Sequence, residues 1–385
     1  MKVSQIHDLV NTAISETSGK LPLLKEDLSN VVDVGTEIFN GDNVDNYVHK
    51  LVDRIGYTTF NNRIYQGSAP SILMNSWEYG SVMQKVDTEL PTAEENDSWN
   101  LQDKTDYSPN IFYQPKVTAK FFNSKVTFDI PLSFTAMQVK ESFNNANELN
   151  GFISMLQNSV VNAMTLNLDN LIMRTLNNMT ANVINANQPN TSVNLLTLYN
   201  NAKGTSLKAK DALSDKEFIR FANYTINTFK DRISKFSTLF NVGGKQRFTP
   251  STSQHLILLS DFENSSKVYL ESDTQHQDLV TVNGFESVPY WQGSGQNYNF
   301  EDISKIDVQI KDGDTSKEIV QTGIIGLLFD TNATGVNCSN QRVTTNFNPK
   351  AEFYTNFTKY DASYYNDLNE NYVVFYIADS ATSNK

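Results

Sequence analysis

Two runs of alternating side chains, set either side of a long polar connection, constrain this chain more than any other feature. Val82, Gln84, Val86, Thr88 and Leu90 fall on one face of an extended segment. Val126, Phe128, Ile130 and Leu132 fall on one face of a second, opposite Lys125, Thr127 and Asp129. Period-two patterning predicts strands, and the two runs read as one long two-stranded ribbon. The connection at 91–115 opens and closes on proline and carries Glu94, Glu95, Asp97, Asp103 and Asp106 beside Trp99, Tyr107, Phe112 and Tyr113. A lone two-stranded ribbon is marginal in water, so an acidic, aromatic tip of this length calls for a partner surface. Another copy of the chain is the natural supplier.

The helical signals are also long. From Leu149 through Leu156, Val160, Ala163, Leu168, Leu171 and Leu176 to Met179, apolar residues hold a 3.6-residue period. A helical stretch beginning near Phe134 and continuous from Leu149 to about Val183 would make a beam of roughly 50 Å at about 1.5 Å per residue. Its polar face, with Asn158, Asn162, Asn167, Asp169 and Asn170, looks at solvent or neighbours, and Pro189 closes it. Ser214 and Glu217 form an S-x-x-E capping box ahead of a second amphipathic helix reaching Phe236, with Gly243-Gly244 ending the unit. Strands are expected at 255–259, 279–282, 285–288, 306–310, 319–329, 342–347, 352–360 and 372–377, with Asn283-Gly284 as a hairpin turn. Residues 1–47 show no sustained period and read as an arm lying on something else, followed by a helix from Val44 to Ile55. The class is α+β with one dominant helix and no internal repeat.

Composition excludes several functions. A chain of 385 residues exceeds what one core supports and holds two or three lobes. Hydrophobic residues at 39% and aromatics at 11% exclude a disordered chain. A net charge of -12 argues against gripping nucleic acid by counterion release, so DNA nearby is enclosed, and an acidic lining suits a container. Cys338 is the sole cysteine, which excludes an internal disulfide and a thiolate zinc cluster. The longest apolar run, 324–329, is too short to span a bilayer. The first eight residues lack a basic-then-apolar leader, so the sequons at Asn178, Asn264 and Asn356 read as accidental in a soluble cytoplasmic product.

No catalytic, cofactor or metal signature emerges. His7, His49, His255 and His276 are widely separated, without ligand spacing. Gly243-Gly244-Lys245 lacks the phosphate loop's first glycine, since Leu239 stands there, and Gln246 replaces its Ser/Thr. Asp330, Asn332, Thr334 and Gly335 imitate a calcium loop, but Gln341 occupies the position of its bidentate glutamate. Glu94-Glu95 adjoin on a tip and do not converge as a glycosidase pair must. The aromatics from Tyr354 to Tyr376 lack the interleaved cations that track a phosphate chain, and read as sheet packing and subunit contacts.

The order of elements, arm, long ribbon, spine helix, mixed lobe and late strands, resembles the Johnson fold of tailed-phage major capsid proteins. W-E-Y-G-S-V-M-Q-K-V at 77–86 is similar to the E-loop entry of small podoviruses of the salasvirus-like kind. G-I-I-G-L-L-F-D at 323–330 and the segments from Arg342 through Asn348-Pro349 to Phe375 resemble the family's late strands. The resemblance implies an N-terminal arm at 1–47, an E-loop at 77–132, a peripheral domain from 48–76, 133–188 and 341–365 with the spine helix at 148–183, and an axial domain from 189–340 and 366–385. It also implies an E-loop lying over an adjacent subunit, and in some relatives a C-terminal immunoglobulin-like domain for which too few residues follow Ile377. The lysine-to-asparagine weld of some capsids finds no matching positions here.

The expectation is a non-enzymatic shell subunit without cofactor, assembled in the host bacterial cytoplasm and residing in the virion. Its partners are itself in pentamers and hexamers, and portal, scaffold or decoration proteins, around double-stranded DNA held without sequence recognition and with no membrane. Glu94, Glu95, Asp97, Trp99, Tyr107, Phe112 and Tyr113 are the assembly contacts. Two rivals stand beside it: an encapsulin-like compartment, which shares the fold and encloses an enzyme, and a secreted carbohydrate-binding β-protein, which stays monomeric.

Overall fold

The computed structural model describes residues 11, 63–67, 69–74, 83–135, 146–271, 284–291, 303–312 and 315–379. By contact the chain divides into two units, Met1–Arg63 with Asn145–Leu156, and Ile64–Asn144 with Gln157–Lys385. The expected arm at 1–47, the helix from Val44, the ribbon entry at 77–82 and the strand at 279–282 fall outside the described residues.

Helix α1, Ala146–Ala186, is the beam: 41 residues, about 62 Å at 1.5 Å per residue. It ends where Asn187 takes a left-handed φ of 48° and returns its N–H to Val183, and Pro189 stops any continuation. Leu176, Met179, Ala181 and Val183 are wholly buried. Two residues of the polar face expected to look at solvent or neighbours are engaged within the chain: Asn162 Oδ1 accepts the Tyr65 N–H at 2.7 Å and Asp169 Oδ2 accepts the Tyr65 hydroxyl at 2.7 Å.

Strands β1 (Met83–Thr88), β2 (Val117–Phe122) and β3 (Lys125–Thr135) precede α1, and β4 (Ser192–Asn194) follows it. Helices α2 (Leu195–Lys203), α3 (Ala209–Ala212) and α4 (Lys216–Ile233) lead to β5 (Gln254–Leu259), α5 (Ser260–Ser266) and β6 (Glu286–Val288). The chain closes with β7 (Ile306–Asp312), β8 (Thr315–Gln321), β9 (Ile324–Asp330), β10 (Thr334–Asn348), β11 (Phe353–Asn366) and β12 (Tyr372–Tyr376).

A five-stranded sheet ordered β4-β12-β9-β5-β6 sits at the centre of the larger unit. Ile257, Leu327, Phe329, Tyr372 and Val374 on one face pack with Leu176 and Met179 of α1. Leu256, Leu258, Leu328, Val373 and Phe375 on the other pack with Phe218, Ala222, Ile226 and Phe229 of α4. Covering both faces explains why β9 reads I-I-G-L-L-F-D with every residue buried instead of alternating. Helix α4 starts one residue later than the capping box placed it: Asp215, not Ser214, is the cap, its carboxylate accepting the Phe218 N–H at 2.7 Å. The carboxylate also suits the positive end of the helix dipole. Helix α2, unread in the sequence, is capped by Asn194 and stopped by Gly204 at φ 65°.

Three expectations about strands are corrected. The ribbon partner of β1 is β2, with Met83 opposite Phe122 and Thr88 opposite Val117. The run at 126–132 belongs to β3, which pairs with β11 in a separate sheet ordered β10-β11-β3. Phe134 continues β3 instead of opening a helix. The single strand expected over 319–329 is two, β8 and β9, divided at Gly323, whose φ is 74°; β8 pairs back onto β7. β6 pairs in parallel with β5; the partner strand of the expected Asn283-Gly284 hairpin lies outside the described residues. No described helix is long and apolar enough to cross a membrane.

At the sheet's margin the Gly323 carbonyl accepts the Ile377 N–H at 2.8 Å, and the Gly323 N–H donates to Ser304 Oγ at 3.1 Å. A Cβ there would strike the Ile377 carbonyl oxygen in a backbone region that disfavours side chains. Gly323→Ala is expected to destabilise the subunit by about 2 kcal/mol or more, read as a lower urea midpoint.

Candidate assembly interface

The ribbon turns an unexpected face to the body of the protein. Val86 and Thr88, placed by alternation on the patterned face of β1, point to solvent, while Met83, Lys85 and Asp87 face inward. On β2 the inward residues are Lys120 and Phe122, and Phe121 is exposed. Lys85 and Lys120 are directly opposite one another across the ribbon, an arrangement that repels unless an anion sits between them. Asp367 supplies it. Lys85 Nζ donates to its Oδ2 at 2.9 Å and Lys120 Nζ to its Oδ1 at 2.8 Å.

Asp367 begins the short connection between β11 and β12, its N–H held by the Ala333 carbonyl at 2.8 Å. The side chain is 1% exposed. Lys85 also reaches Glu370 Oε1 at 2.7 Å and the Asn332 carbonyl at 3.1 Å. Arg247 approaches Asp87 at 2.6 Å and Glu370 at 3.4 Å, as ion pairs without the donor geometry of hydrogen bonds. Three cations meet three carboxylates, so the root is neutral as well as enclosed. Burial raises the Asp367 pKa, but hydrogen bonds from Lys120 and Lys85 and the Lys85 charge outweigh it and hold the carboxyl below its ordinary value. The ring of Phe122 lies 5.1 Å from that of Tyr365 and adds an apolar contact.

Beyond the root the connection 89–116 is exposed throughout. It has internal order: Asn96 caps a 3-10 turn at Asp97–Trp99, the Tyr107 hydroxyl accepts the Gln102 N–H at 3.0 Å, and the Tyr113 hydroxyl reaches Glu94 at 3.5 Å. Glu94, Glu95, Asp97, Trp99, Tyr107, Phe112 and Tyr113 therefore share one protruding segment. None is buried, Trp99 being 96% and Phe112 84% exposed. The root cluster went unread in the sequence. Its members lie up to 285 positions apart, and only the odd placement of Lys85 and Asp87 inside an alternating strand hints at it.

Elsewhere the chemistry is structural. Ser71 Oγ and N–H both donate to Glu286, whose carboxylate lies 3.2 Å from His255 Nε2. The hydroxyl meets the carboxylate and not the imidazole, so this is a tie between segments and not a nucleophile with its base. At the calcium-like sequence Asp330 Oδ1 accepts the Asn332 N–H at 2.9 Å, a capped turn after β9. Among the described residues no group of three His, Cys, Asp or Glu side chains is arranged to hold a metal.

A family model described as Phi29-like phage major capsid protein matches residues 9–376. Among solved structures, the chain is similar to one in the capsid of Staphylococcus phage Andhra, with a TM-score of 0.54 at 9% identity over 84% of this chain and 87% of that one. It is similar to a chain in the structure of the head fiber and inner core protein gp22 of native bacteriophage P68, with a TM-score of 0.53 at 8% identity over 83% and 87%. At such identities the likeness is one of fold. No curated protein matches.

The root's response to acid has a definite sign. The Asp367 pKa lies below its unfolded value of about 4, so the clamp contributes fully above about pH 4 and is lost as pH falls through the lowered value. Amide exchange in 83–88 and 117–122 should stay protected at neutral pH and accelerate selectively at strongly acid pH. Asp367→Asn should expose the same amides at neutral pH and cost about 3 kcal/mol, the low end for breaking a buried pair, since Lys120 is partly solvated. Denaturant titration and hydrogen exchange check both.

Proposed function

The chain belongs to the Phi29-like phage major capsid protein family, a structural and non-enzymatic shell subunit, and from that premise we propose that the protruding segment 89–116 is the hand with which each copy takes hold of another. One observation carries the reading. A segment bearing Trp99 and Phe112 almost wholly in solvent is presented on a neutral, multiply bonded root whose central carboxylate, Asp367, is buried. A flexible loop would lose ordering entropy on every contact; a held ribbon loses much less. Glu94, Glu95, Asp97, Tyr107 and Tyr113 supply the polar rim around the two apolar anchors.

In this reading the three-stranded sheet and α1 belong to a peripheral domain. The five-stranded sheet with α2 and α4 belongs to an axial domain meeting its copies at the centre of pentamers and hexamers. Contacts that are individually modest become strong once ring and shell closure make the later ones intramolecular. The shell encloses double-stranded DNA without reading its sequence, is built in the host bacterial cytoplasm, and takes portal, scaffold or decoration proteins as further partners. The family match turns aside the encapsulin-like compartment and the carbohydrate-binding protein.

Replacing residues 92–111 with a short glycine-serine turn is expected to leave a folded subunit, with an unchanged denaturation midpoint, that forms no shells by electron microscopy. Intact particles from that variant would refute the proposal.

A further inference from the structure

The protruding segment needs a receiving surface, and the larger unit carries one with matching chemistry. Residues 89–116 contain six acidic and two basic residues, a net charge of -4. Residues 230–248 contain five basic and one acidic residue, a net charge of +4 in a chain whose total is -12. This basic stretch runs from the end of α4 through a loop pinned by the paired main chains of Ser237 and Arg247. Arg232 and Lys235 are exposed there, and neither has a carboxylate partner among the described residues.

The same stretch exposes apolar groups. Phe236 is 56%, Leu239 55% and Phe248 45% exposed, and the Phe236 and Phe248 rings lie 4.4 Å apart. Phe236 and Phe248, with Val86 and Leu90, line an open cleft of about 560 Å³ whose other wall is the ribbon root and whose lining includes Lys245 and Arg247; Leu239 lies in the same exposed stretch outside that lining. Those two cations are partly satisfied by Glu89 and Asp87, which leaves Arg232 and Lys235 to meet an incoming anion. A polyanion alone would not require three exposed apolar side chains beside the cations, whereas a segment both acidic and aromatic matches them in kind. The chain's own tip does not fill the cleft, since Trp99 is almost fully solvated.

We propose that the Phe236–Leu239–Phe248 patch, with Arg232 and Lys235, is the socket that receives the acidic aromatic tip, residues 92–113, of a second copy of this chain. The proposal rests on the reading that the tip is an assembly contact. It adds that each subunit's socket lies at the root of its own ribbon, so seating one tip buttresses the base of the next and assembly propagates from copy to copy.

Two photo-crosslinking probes in shells assembled from mixed isotopically labelled and unlabelled subunits test it. Benzoylphenylalanine replacing Leu239 should link to residues 92–113 of a differently labelled copy, and the same probe replacing Trp99 should link to residues 232–248 of another copy. If the Trp99 probe links to a different surface of another copy, the socket is wrong while the assembly contact stands. If it links to no other copy, both fail. If the Leu239 probe captures packaged DNA, the patch is a polyanion surface and the socket is wrong. Should the Leu239 probe block assembly, Lys235 takes its place. As an independent measure, Phe236→Ser with Leu239→Ser should keep the subunit's denaturation midpoint and lose about tenfold or more of its shells, the scale on which removing anchor residues weakens a contact; undiminished shell yield would overturn the proposal.

Discussion

A single buried carboxylate decides whether this protein has an outstretched finger or a loose strand pair. Lys85 and Lys120 face one another across the ribbon, and without Asp367 between them the pair would repel where it must pack most closely. Surface ion pairs contribute about 0–1 kcal/mol, which would not hold a ribbon of six residue pairs. Enclosure changes the scale. With Asp367 1% and Glu370 11% exposed, charges lie in a medium where losing one partner costs about 3–5 kcal/mol, comparable with much of a domain's net stability.

The clamp works because its anchor does not move. Asp367 follows β11 and precedes β12, and β12 lies inside a sheet buried on both faces. Displacing the anchor means disturbing Tyr372, Val373, Val374 and Phe375, all 0–1% exposed. Close packing of this kind transmits position instead of absorbing it. The long exposed segment is thus joined through three ion pairs to the stiffest part of the larger unit, which is what a subunit requires if its place in a shell is to be specified by contacts at its extremity.

Charge follows the same division of labour. A chain of net charge -12 resists indiscriminate adhesion to polyanions and to its own copies. Cations gather at the ribbon root, where Lys85, Lys120 and Arg247 are paired, and along 230–248, where Arg232 and Lys235 are exposed. Local complementarity within a repelling whole favours one mode of approach between copies over many.

Much of this was legible in the sequence. The apolar period of α1, the buried run of β9, the acidic aromatic connection and the absence of catalytic spacing all follow from local rules that residues within one turn or one strand obey. Tertiary structure decided the rest. Alternation says that Lys85 and Asp87 share a face, but which face turns inward depends on Asp367 and Glu370, about 280 positions away. The pairing of β1 with β2, leaving β3 to β11, rests on register, which no single strand carries in itself. Gly323 divides one apparent strand into two because only the approach of Ile377 demands its positive φ. Periodicity belongs to the segment, whereas partners, and the sign of a face, belong to the assembled fold.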